Sequence, residues 1–323
     1  MSRAGAAFTR GRLALCALVM ALAVAGCGGE ESTSPVSAAP ATGDGGTLSW
    51  ALAQRPSQLD PLLATSRADQ LVTRQVHEPL VETLTGPFGD TRRRPGLALS
   101  SRPSSGNTIW SFRVRPGVRF QDGTPLNAGA VMVNGRRWLT TPQGRALMPN
   151  LFAVDAPRPD LVRFLLERPD PRFPESLALP RTGIVSPRAL TDPSGESAEL
   201  RRRRRSGTGA FEFRERSGGE LLIARNPAWW GTKHDLGPAL DLVRFPFVAD
   251  ADARLALLAA GDVQAADRLG TDQARTVRRD PLLELLPGRG SGSLGLERSV
   301  RGIASAREVP SLSGVWVTRL GGG

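Results

Sequence analysis

The chain has 323 residues, of which 40% are hydrophobic and 23% are charged, so it can bury a core and is not a disordered polymer. Its net charge of +11 suggests nucleic-acid binding, but no recognition helix, zinc-ligand spacing or aromatic RNA-binding motif accompanies that charge. The only histidines are His77 and His234, and both cysteines, Cys16 and Cys27, lie near the start. We therefore expect no nucleic-acid partner, no disulfide in the folded body, no metal site and no other cofactor.

Residues 1–26 have the pattern of a secretory signal. Three arginines precede an apolar run over residues 13–24, which is too short to span a bilayer as a stable anchor. The run ends in the letters VAGC at Cys27, which resembles the bacterial lipoprotein signal of small residues followed by cysteine. The resemblance implies cleavage before Cys27 and a diacylglyceryl thioether on its sulfur. A plain signal peptide with an incidental cysteine is the alternative.

Residues 27–46 are rich in Gly, Ser, Ala, Thr and Pro, which predicts a flexible tether between the lipid and the folded body. We therefore expect the protein in the cell envelope, anchored to the outer face of the cytoplasmic membrane. The densest basic run, residues 201–205, lies beside Ser206 and Gly207. This run indicates a solvated loop, or attraction to anionic lipid headgroups close to the membrane.

The first half of the body predicts several strands and two helices. Residues 47–53 favour a strand, and the apolar spacing over residues 69–84 is helical but is interrupted by Pro79. Residues 109–115 alternate between apolar and polar side chains, which predicts a half-buried strand. A Pro-Gly turn is then expected to fold residues 118–120 back as the second strand of a hairpin.

A capped helix is predicted from Asn127 to about Leu139, followed by a strand over residues 161–166. The second half predicts paired strands, a further strand, a helix capped by Asp250 or Asp252 and closed by Gly261, and a last strand from Val263. The paired strands are predicted over residues 210–214 and 220–224, the further strand over 240–247, and the helix over 253–260. This irregular order favours an α/β, or mixed α+β, fold with a mixed sheet.

The string WSFRVRPGVRFQDGTPL over residues 110–126 resembles the signature of the family 5 extracellular solute-binding proteins, the oligopeptide, dipeptide and nickel binders. Further fragments follow in family order: Leu59-Asp60-Pro61, His77-Glu78-Pro79-Leu80-Val81, Leu97-Ala98, Gly207-Thr208-Gly209-Ala210-Phe211, Arg225-Asn226-Pro227, Trp229-Trp230 and Gly261-Asp262-Val263. The resemblance covers residues 47–268 and implies a periplasmic-binding-protein type II-like fold. Ala130 and Gln264 stand where the family usually has acidic residues.

Family members carry a second clamp lobe after the region that matches residues 282–296, where this chain has a Gly/Ser-rich bridge. The tail resembles the family's C-terminal return strands, so we predict an internal loss of that lobe. The resemblance implies one main mixed-sheet lobe, a smaller inserted lobe that contains the 109–120 hairpin, and a shortened connection. The ranges are 47–65 with 181–270 and 297–320 for the main lobe, 66–180 for the inserted lobe and 271–296 for the connection.

The resemblance implies a lipid-anchored substrate-binding component that captures a peptide-like or other small solute for an ABC transporter permease. By family position, two loops should reach the ligand cleft. These loops carry Thr65, Ser66, Arg67, Asp267 and Arg268. The hydroxyls and guanidinium groups suit a carboxylate, and Asp267 suits an ammonium group. The alternative is that all five are solvated loop residues, or that Asp267 pairs with one of the two arginines.

Two other functions compete with ligand capture. A protein that has lost one wall of its cleft would act as an interaction or scaffold lipoprotein of the envelope, without binding solute. A secreted hydrolase needs a nucleophile and a base within reach of each other, and the two histidines give a Ser–His arrangement little support. We therefore expect that the chain is not an enzyme.

Overall fold

The computed structural model describes residues 45–85, 91–191, 206–217, 220–234, 238, 240–286 and 316–319. The strands are β1 (Thr47–Ala51), β2 (Val81–Thr85), β3 (Thr91–Pro95), β4 (Ala98–Ser104), β5 (Ile109–Val114), β6 (Leu151–Arg158), β7 (Leu161–Leu166), β8 (Phe211–Ser217), β9 (Glu220–Arg225), β10 (Leu242–Pro246), β11 (Ala265–Ala266), β12 (Leu283–Leu286) and β13 (Trp316–Arg319). The α-helices are α1 (Arg67–Val76), α2 (Ala128–Thr140), α3 (Pro142–Leu147), α4 (Phe173–Ser176), α5 (Pro187–Thr191), α6 (Ala251–Ala260) and α7 (Thr271–Val277).

The larger sheet is mixed, as the sequence predicted. Within the described residues it has five strands in the order β11-β1-β10-β9-β8. Strand β1 runs parallel to both β10 and β11, whereas β10, β9 and β8 are antiparallel neighbours. The carboxyl ends of β10, β1 and β11 therefore meet at one edge of the sheet.

The core on the larger sheet comes from alternating apolar residues of its strands and from α1. Trp50 on β1 packs against Phe245 on β10, with their ring centroids 5.9 Å apart. Helix α1 places Val72 and Val76 in the same core, and both are fully buried. The helix begins at Ser66, whose side chain accepts a hydrogen bond from the Asp69 N–H in a capping box.

The smaller sheet is antiparallel, with the strand order β4-β5-β7-β6 among the described residues. Strand β5 buries Trp110, Phe112 and Val114 on one face, which confirms the alternation seen in the sequence. Phe112 meets Phe164 of β7 edge-to-face with the ring centroids 5.5 Å apart. Helix α2, capped by Asn127 as predicted, covers this face and stacks Trp138 on Phe164.

One predicted element of the first half is wrong, and another is right only in part. Strand β5 does not form a hairpin with residues 118–120 but pairs with β4 and β7, while Arg119 bridges to Pro125. The partners of β5 lie elsewhere in the chain, and alternation alone does not identify them. The helical spacing predicted over residues 69–84, with an interruption at Pro79, is confirmed for its first part, since α1 ends at Val76. Beyond the proline the prediction is wrong, because residues 81–85 pair with β3 as a strand.

The predicted elements of the second half are confirmed. Strands β8 and β9 pair antiparallel, and β10 covers most of the predicted range 240–247. Helix α6 is capped by Asp250, whose carboxylate accepts the Ala253 N–H at 2.7 Å. Gly261 ends the helix with a φ of 85°, a left-handed conformation that glycine adopts without a steric penalty.

The proposed lobe boundaries remain a prediction. The buried residues of α1 belong to the core of the larger sheet, so we propose that the smaller lobe begins after His77 rather than at residue 66. Residues 1–44, with the predicted signal, Cys27 and most of the tether, lie outside the described residues. Of the predicted return strands, only β13 is described, and it pairs antiparallel with β12. In the described part of the chain, no helix has the length and apolar character needed to cross a membrane.

Candidate functional site

The carboxyl ends of the three parallel strands form the candidate site. Leu52 bridges to Phe247 in parallel, and Ala51 pairs with Ala266, so the residues that follow these pairs reach the same edge of the sheet. We call this surface the carboxyl edge and define it by Ala53, Gln54, Val248, Asp267 and Arg268. Polar loop groups that converge where parallel strands end are the usual setting for a ligand in an open α/β sheet.

Asp267 lies at the base of the carboxyl edge and is 6% exposed. Its Oδ1 accepts a hydrogen bond from the Ala53 N–H at 2.6 Å, which ties the loop after β1 to the loop after β11. Burial raises the pKa of the Asp267 carboxyl group, while this hydrogen bond and the charges of Arg254, Arg268 and Arg67 act in the opposite direction. Within the described residues, Oδ2 accepts no hydrogen bond, so this oxygen can receive a donor from a ligand.

Arg268 stands next to Asp267 in an uncommon backbone conformation, with a φ of 52°. Its Nη1 donates a hydrogen bond to Oε1 of Gln54 at 2.9 Å on the exposed side of the carboxyl edge. Arg67, at the first turn of α1, is close enough to act electrostatically on Asp267. The fold therefore brings Arg67, Asp267 and Arg268 of the predicted ligand residues into one neighbourhood.

The other two predicted ligand residues have different surroundings. Ser66 is the N-cap of α1: its Oγ accepts the Asp69 N–H at 3.0 Å, and its own N–H donates to the Asp69 carboxylate at 3.2 Å. Thr65 is exposed, and its carbonyl accepts a hydrogen bond from Nε2 of Gln70. Ser66 therefore has a structural role at the start of the helix, whereas the hydroxyl of Thr65 stays available for a ligand.

Sequence reasoning missed Arg254, which lies on α6 and is 2% exposed. Its guanidinium donates to four main-chain carbonyls at the ends of β10 and β11. The bonds run to Val248 O at 2.6 Å, Ala249 O at 2.8 Å, Asp267 O at 3.0 Å and Arg268 O at 2.9 Å. A lone arginine in the apolar helix ADARLALLAA was the available signal.

A second buried polar cluster surrounds Glu78, between the end of α1 and the segments at residues 206–210 and 229–230. The Glu78 carboxylate accepts hydrogen bonds from the hydroxyl of Thr208 at 2.7 Å and from the indole N–H groups of Trp229 and Trp230 at 3.0 and 2.9 Å. Burial raises the pKa of Glu78 to about 7, although these donors act in the opposite direction. Arg115 lies over the Trp230 ring, 4.1 Å from its centroid.

Two further contacts next to Glu78 hold the segment at residues 206–210 against the end of α1. Nε2 of His77 lies 2.9 Å from the Ser206 hydroxyl in a buried contact. Gly207 lets the returning chain approach α1, because an added Cβ there would lie 1.8 Å from the Val76 carbonyl oxygen. Both oxygens of Glu78 are thus used by protein donors, so this cluster joins parts of the fold and leaves little capacity for a ligand.

A groove of about 420 Å³ runs beside β3 and β4. Trp110, Pro171 and Pro174 contribute to its lining, together with Arg93 and Arg94. Arg93 pairs with Glu175, and Arg94 pairs with Glu82. The groove shares no residue with the carboxyl edge, and we do not assign the ligand to it because its two cations already face carboxylates. In the described ranges, no group of three His, Cys, Asp or Glu side chains could hold a metal ion.

Comparisons with known proteins identify the family. The family described as bacterial extracellular solute-binding proteins, family 5 Middle, matches residues 92–300, more than half of the chain. The probable D,D-dipeptide-binding periplasmic protein DdpA of Escherichia coli is 29% identical over 229 residues, which are 70% of this chain and 44% of that protein. The glutathione-binding protein GsiB of Pectobacterium atrosepticum is 31% identical over 242 residues, 71% of this chain and 43% of the relative.

Solved structures agree with this match. The binding protein AgaA of A. tumefaciens, in complex with agropinic acid, is 26% identical with a TM-score of 0.64, over 75% of this chain and 48% of that one. The oligopeptide-binding protein AppA of Bacillus subtilis, in complex with a nonapeptide, is 23% identical and shares the fold with a TM-score of 0.64, over 76% and 48% of the two chains. The chain spans less than half the length of the curated relatives it matches. It belongs to the bacterial extracellular solute-binding proteins of family 5, and its matched part has a type II periplasmic-binding-protein-like fold.

Proposed function

We propose that the chain is a lipid-anchored substrate-binding protein that captures a short peptide or peptide-like solute and delivers it to an ABC transporter permease. The observation that carries the proposal is the carboxyl edge. There the buried carboxylate of Asp267 has one oxygen that accepts no hydrogen bond from the described residues, and the charges of Arg67 and Arg268 act on it. A peptide offers an ammonium group and a carboxylate, which are the two charges that this arrangement complements.

The chemistry of the carboxyl edge supports binding rather than catalysis. Within the described residues, His77 is engaged with Ser206 in the Glu78 cluster, and His234 stacks edge-on against Trp230. Neither histidine is a residue of the carboxyl edge, so the proposed ligand face has no general base of this type beside a nucleophile. The relatives named for D,D-dipeptides and glutathione support a short peptide as the ligand.

Titration calorimetry of the full chain with a mixture of di- to pentapeptides tests this proposal. We expect weak, salt-sensitive binding, because the side chains of Arg67 and Arg268 are accessible to water and their charges are screened. Arg268→Ala should reduce the affinity roughly tenfold, since a charge-assisted hydrogen bond to a carboxylate is lost. Arg158→Ala is the matched control, because Arg158 is an exposed arginine on the smaller sheet that pairs with Asp160.

The outcomes separate the candidate roles. Binding that is unchanged by Arg268→Ala and by high salt would place the ligand on another surface. If no peptide or other small solute binds, the alternative role gains support, namely an interaction or scaffold lipoprotein of the envelope without ligand capture.

Lipid anchoring is tested separately at Cys27. We expect the mature protein to partition into the detergent phase, and Cys27→Ser to release it or to leave the precursor uncleaved. Mass spectrometry of the mature N-terminus should find a diacylglyceryl group on Cys27. A water-soluble wild-type protein cleaved at another position would contradict the anchor.

A further inference from the structure

The hydrogen bonds of the Arg254 guanidinium to the described residues all run to main-chain carbonyls, whereas the carboxylates of Asp267 and Asp250 act on it only electrostatically. Arg254 is 2% exposed, and all three nitrogens of its guanidinium donate to carbonyl oxygens. Burial lowers the pKa of Arg254 from its ordinary value, but a guanidinium remains protonated at any physiological pH. A buried charge destabilises the fold unless its surroundings compensate it, and an apolar side chain would pack α6 against the sheet without that penalty. The carbonyls that it holds therefore give the best account of its presence.

The four carbonyls belong to the two segments that frame the carboxyl edge. Val248 and Ala249 follow β10, while Asp267 and Arg268 follow β11. The planar guanidinium has five N–H donors that point in several directions, and this geometry lets Arg254 bind both segments at once. Arg254 thus acts as a clamp between the ends of two strands that are not neighbours in the sheet.

The backbone at Arg268 shows what the clamp holds. Among the described residues, Ser105, Asn107 and Arg268 are the non-glycine residues with positive φ, and the first two belong to one short turn around Gly106. A left-handed conformation is unfavourable for arginine and persists only when the surroundings enforce it. Nη2 of Arg254 donates a hydrogen bond to the Arg268 carbonyl. With its backbone in the left-handed conformation, Arg268 directs its own side chain to Gln54.

We propose that Arg254 is the positioning residue of the ligand face, which fixes the Asp267–Arg268 backbone so that both side chains are presented at the carboxyl edge. The inference rests on the proposed function for its biological meaning, but its structural content does not depend on a ligand. Arg254 would not touch the solute, since it is buried beneath the two residues that do.

Hydrogen exchange of backbone amides in the full-length Arg254→Lys protein tests the proposal without any ligand. Lysine keeps the charge, but its single nitrogen has three donors and cannot replace the fork that binds all four carbonyls. The Asp267 N–H donates to Ala51 O, and the Ala53 N–H donates to Asp267 Oδ1, so both amides report on the loop. We expect their exchange to accelerate on the order of tenfold, whereas the amides of β5 and β7 keep their wild-type rates.

Arg137→Lys is the matched control, because Arg137 is a mostly buried arginine that binds the Asp60 carboxylate instead of carbonyls. It should leave the exchange of Ala53 and Asp267 unchanged. If Arg254→Lys accelerates the exchange of all amides equally, Arg254 has only a general stabilising role and the proposal is wrong. If Ala53 and Asp267 keep their wild-type exchange rates in Arg254→Lys, the proposal is wrong as well.

Two further measurements keep the inference separable from the proposed function. If Arg254→Lys does not fold, nitrogen NMR of the wild-type arginine side chains decides the matter. A slowly exchanging Nε–H with a scalar coupling to the Asp267 carbonyl supports the clamp, and a rapidly exchanging one contradicts it. If wild-type protein binds peptide, Arg254→Lys should weaken the affinity about as much as Arg268→Ala. A wild type that binds no peptide defeats the proposed function and leaves the exchange result standing.

Discussion

Glu78 and Asp267 are both buried acids, but their surroundings differ in one respect. Glu78 receives three neutral donors, from Thr208, Trp229 and Trp230, so its acceptor capacity is used within the fold. Among the described residues, Asp267 receives one hydrogen bond, from the Ala53 N–H, and the charges of Arg254, Arg268 and Arg67 act on it without a direct ion pair. A saturated buried carboxylate joins segments of the fold, whereas one with an unused oxygen at the end of parallel strands can serve a ligand.

The largest expected effect comes from removing the saturated acid. Glu78→Ala leaves the indole N–H of Trp229, that of Trp230 and the Thr208 hydroxyl without their acceptor and opens a cavity. We expect a loss of about 4 kcal/mol in the free energy of unfolding, measured by urea denaturation at pH 6. Glu175→Ala, which removes an exposed partner of Arg93, is the control and should change stability by less than about 0.5 kcal/mol. A loss below about 1 kcal/mol for Glu78→Ala would show that the cluster is not a structural junction.

The second effect is a pH dependence that belongs to Glu78. Its pKa is about 7 in the folded protein against an ordinary value of 4.5, so the folded state binds this proton more tightly than the unfolded chain does. This contribution is fully present below about pH 4.5 and is lost as pH rises through 7, with a total of about 3 kcal/mol. The difference in unfolding free energy between wild type and Glu78→Gln, measured from pH 4 to 8, isolates it.

Tryptophan fluorescence gives an independent check of this titration, because two indoles donate directly to Glu78. We expect a transition with a midpoint near 7 in the wild type and none in Glu78→Gln. A wild-type signal that stays flat from pH 5 to 8, together with equal pH profiles of stability, would place the Glu78 pKa near its ordinary value.

A smaller effect on stability is expected at Asp267, the buried acid with one oxygen left for a ligand. In Asp267→Asn the side-chain oxygen can still accept the Ala53 N–H, so the unfolding free energy should change by about 1 kcal/mol or less. Peptide affinity should fall about tenfold, because the variant lacks the carboxylate that we propose as the partner of an ammonium group. Asp160→Asn, at an exposed carboxylate of the smaller sheet, is the control for both measurements. A stability loss near that of Glu78→Ala would remove the distinction between the two acids.

The smallest effect is expected for Arg268→Gly. Relief of the left-handed backbone at this residue offsets the greater entropy of glycine in the unfolded chain, so stability should change by no more than about 0.5 kcal/mol. Arg102→Gly, on the exposed edge strand β4, has no such strain to relieve and should lose about 1 kcal/mol in the same thermal or urea measurement. Equal losses in the two variants would mean that Arg268 is not strained.

Local patterns in the sequence predicted local structure well. The alternation over β5 and the caps of α2 and α6 depend on residues within one element, and the structure has them as expected. The prediction of a hairpin after β5 was wrong because strand pairing depends on distant segments: one partner of β5 is β7, which begins at Leu161.

The candidate site was predictable only in part, for the same reason. Family position indicated the loop that carries Asp267 and Arg268 at the carboxyl edge, and it also indicated Arg67, which acts electrostatically on Asp267 from the first turn of α1. The capping role of Ser66 followed from Ser and Asp at a three-residue spacing and was overlooked. The periodic pattern of apolar residues does not predict the contacts of Arg254 or of Glu78. The donors to Glu78, for example, lie 130 or more residues away along the chain.

The separation of these contacts also has a consequence for the order of folding. The four strands of the smaller sheet come from one continuous stretch between residues 98 and 166, so they can pair as soon as that stretch is synthesised. The larger sheet cannot close until β10 and β11 reach β1, and the Glu78 cluster must wait for Trp229. Closing loops of this length is entropically unfavourable before the contacts form. We therefore expect the smaller sheet to assemble early and the carboxyl edge to form late, when nearly the whole described chain is available.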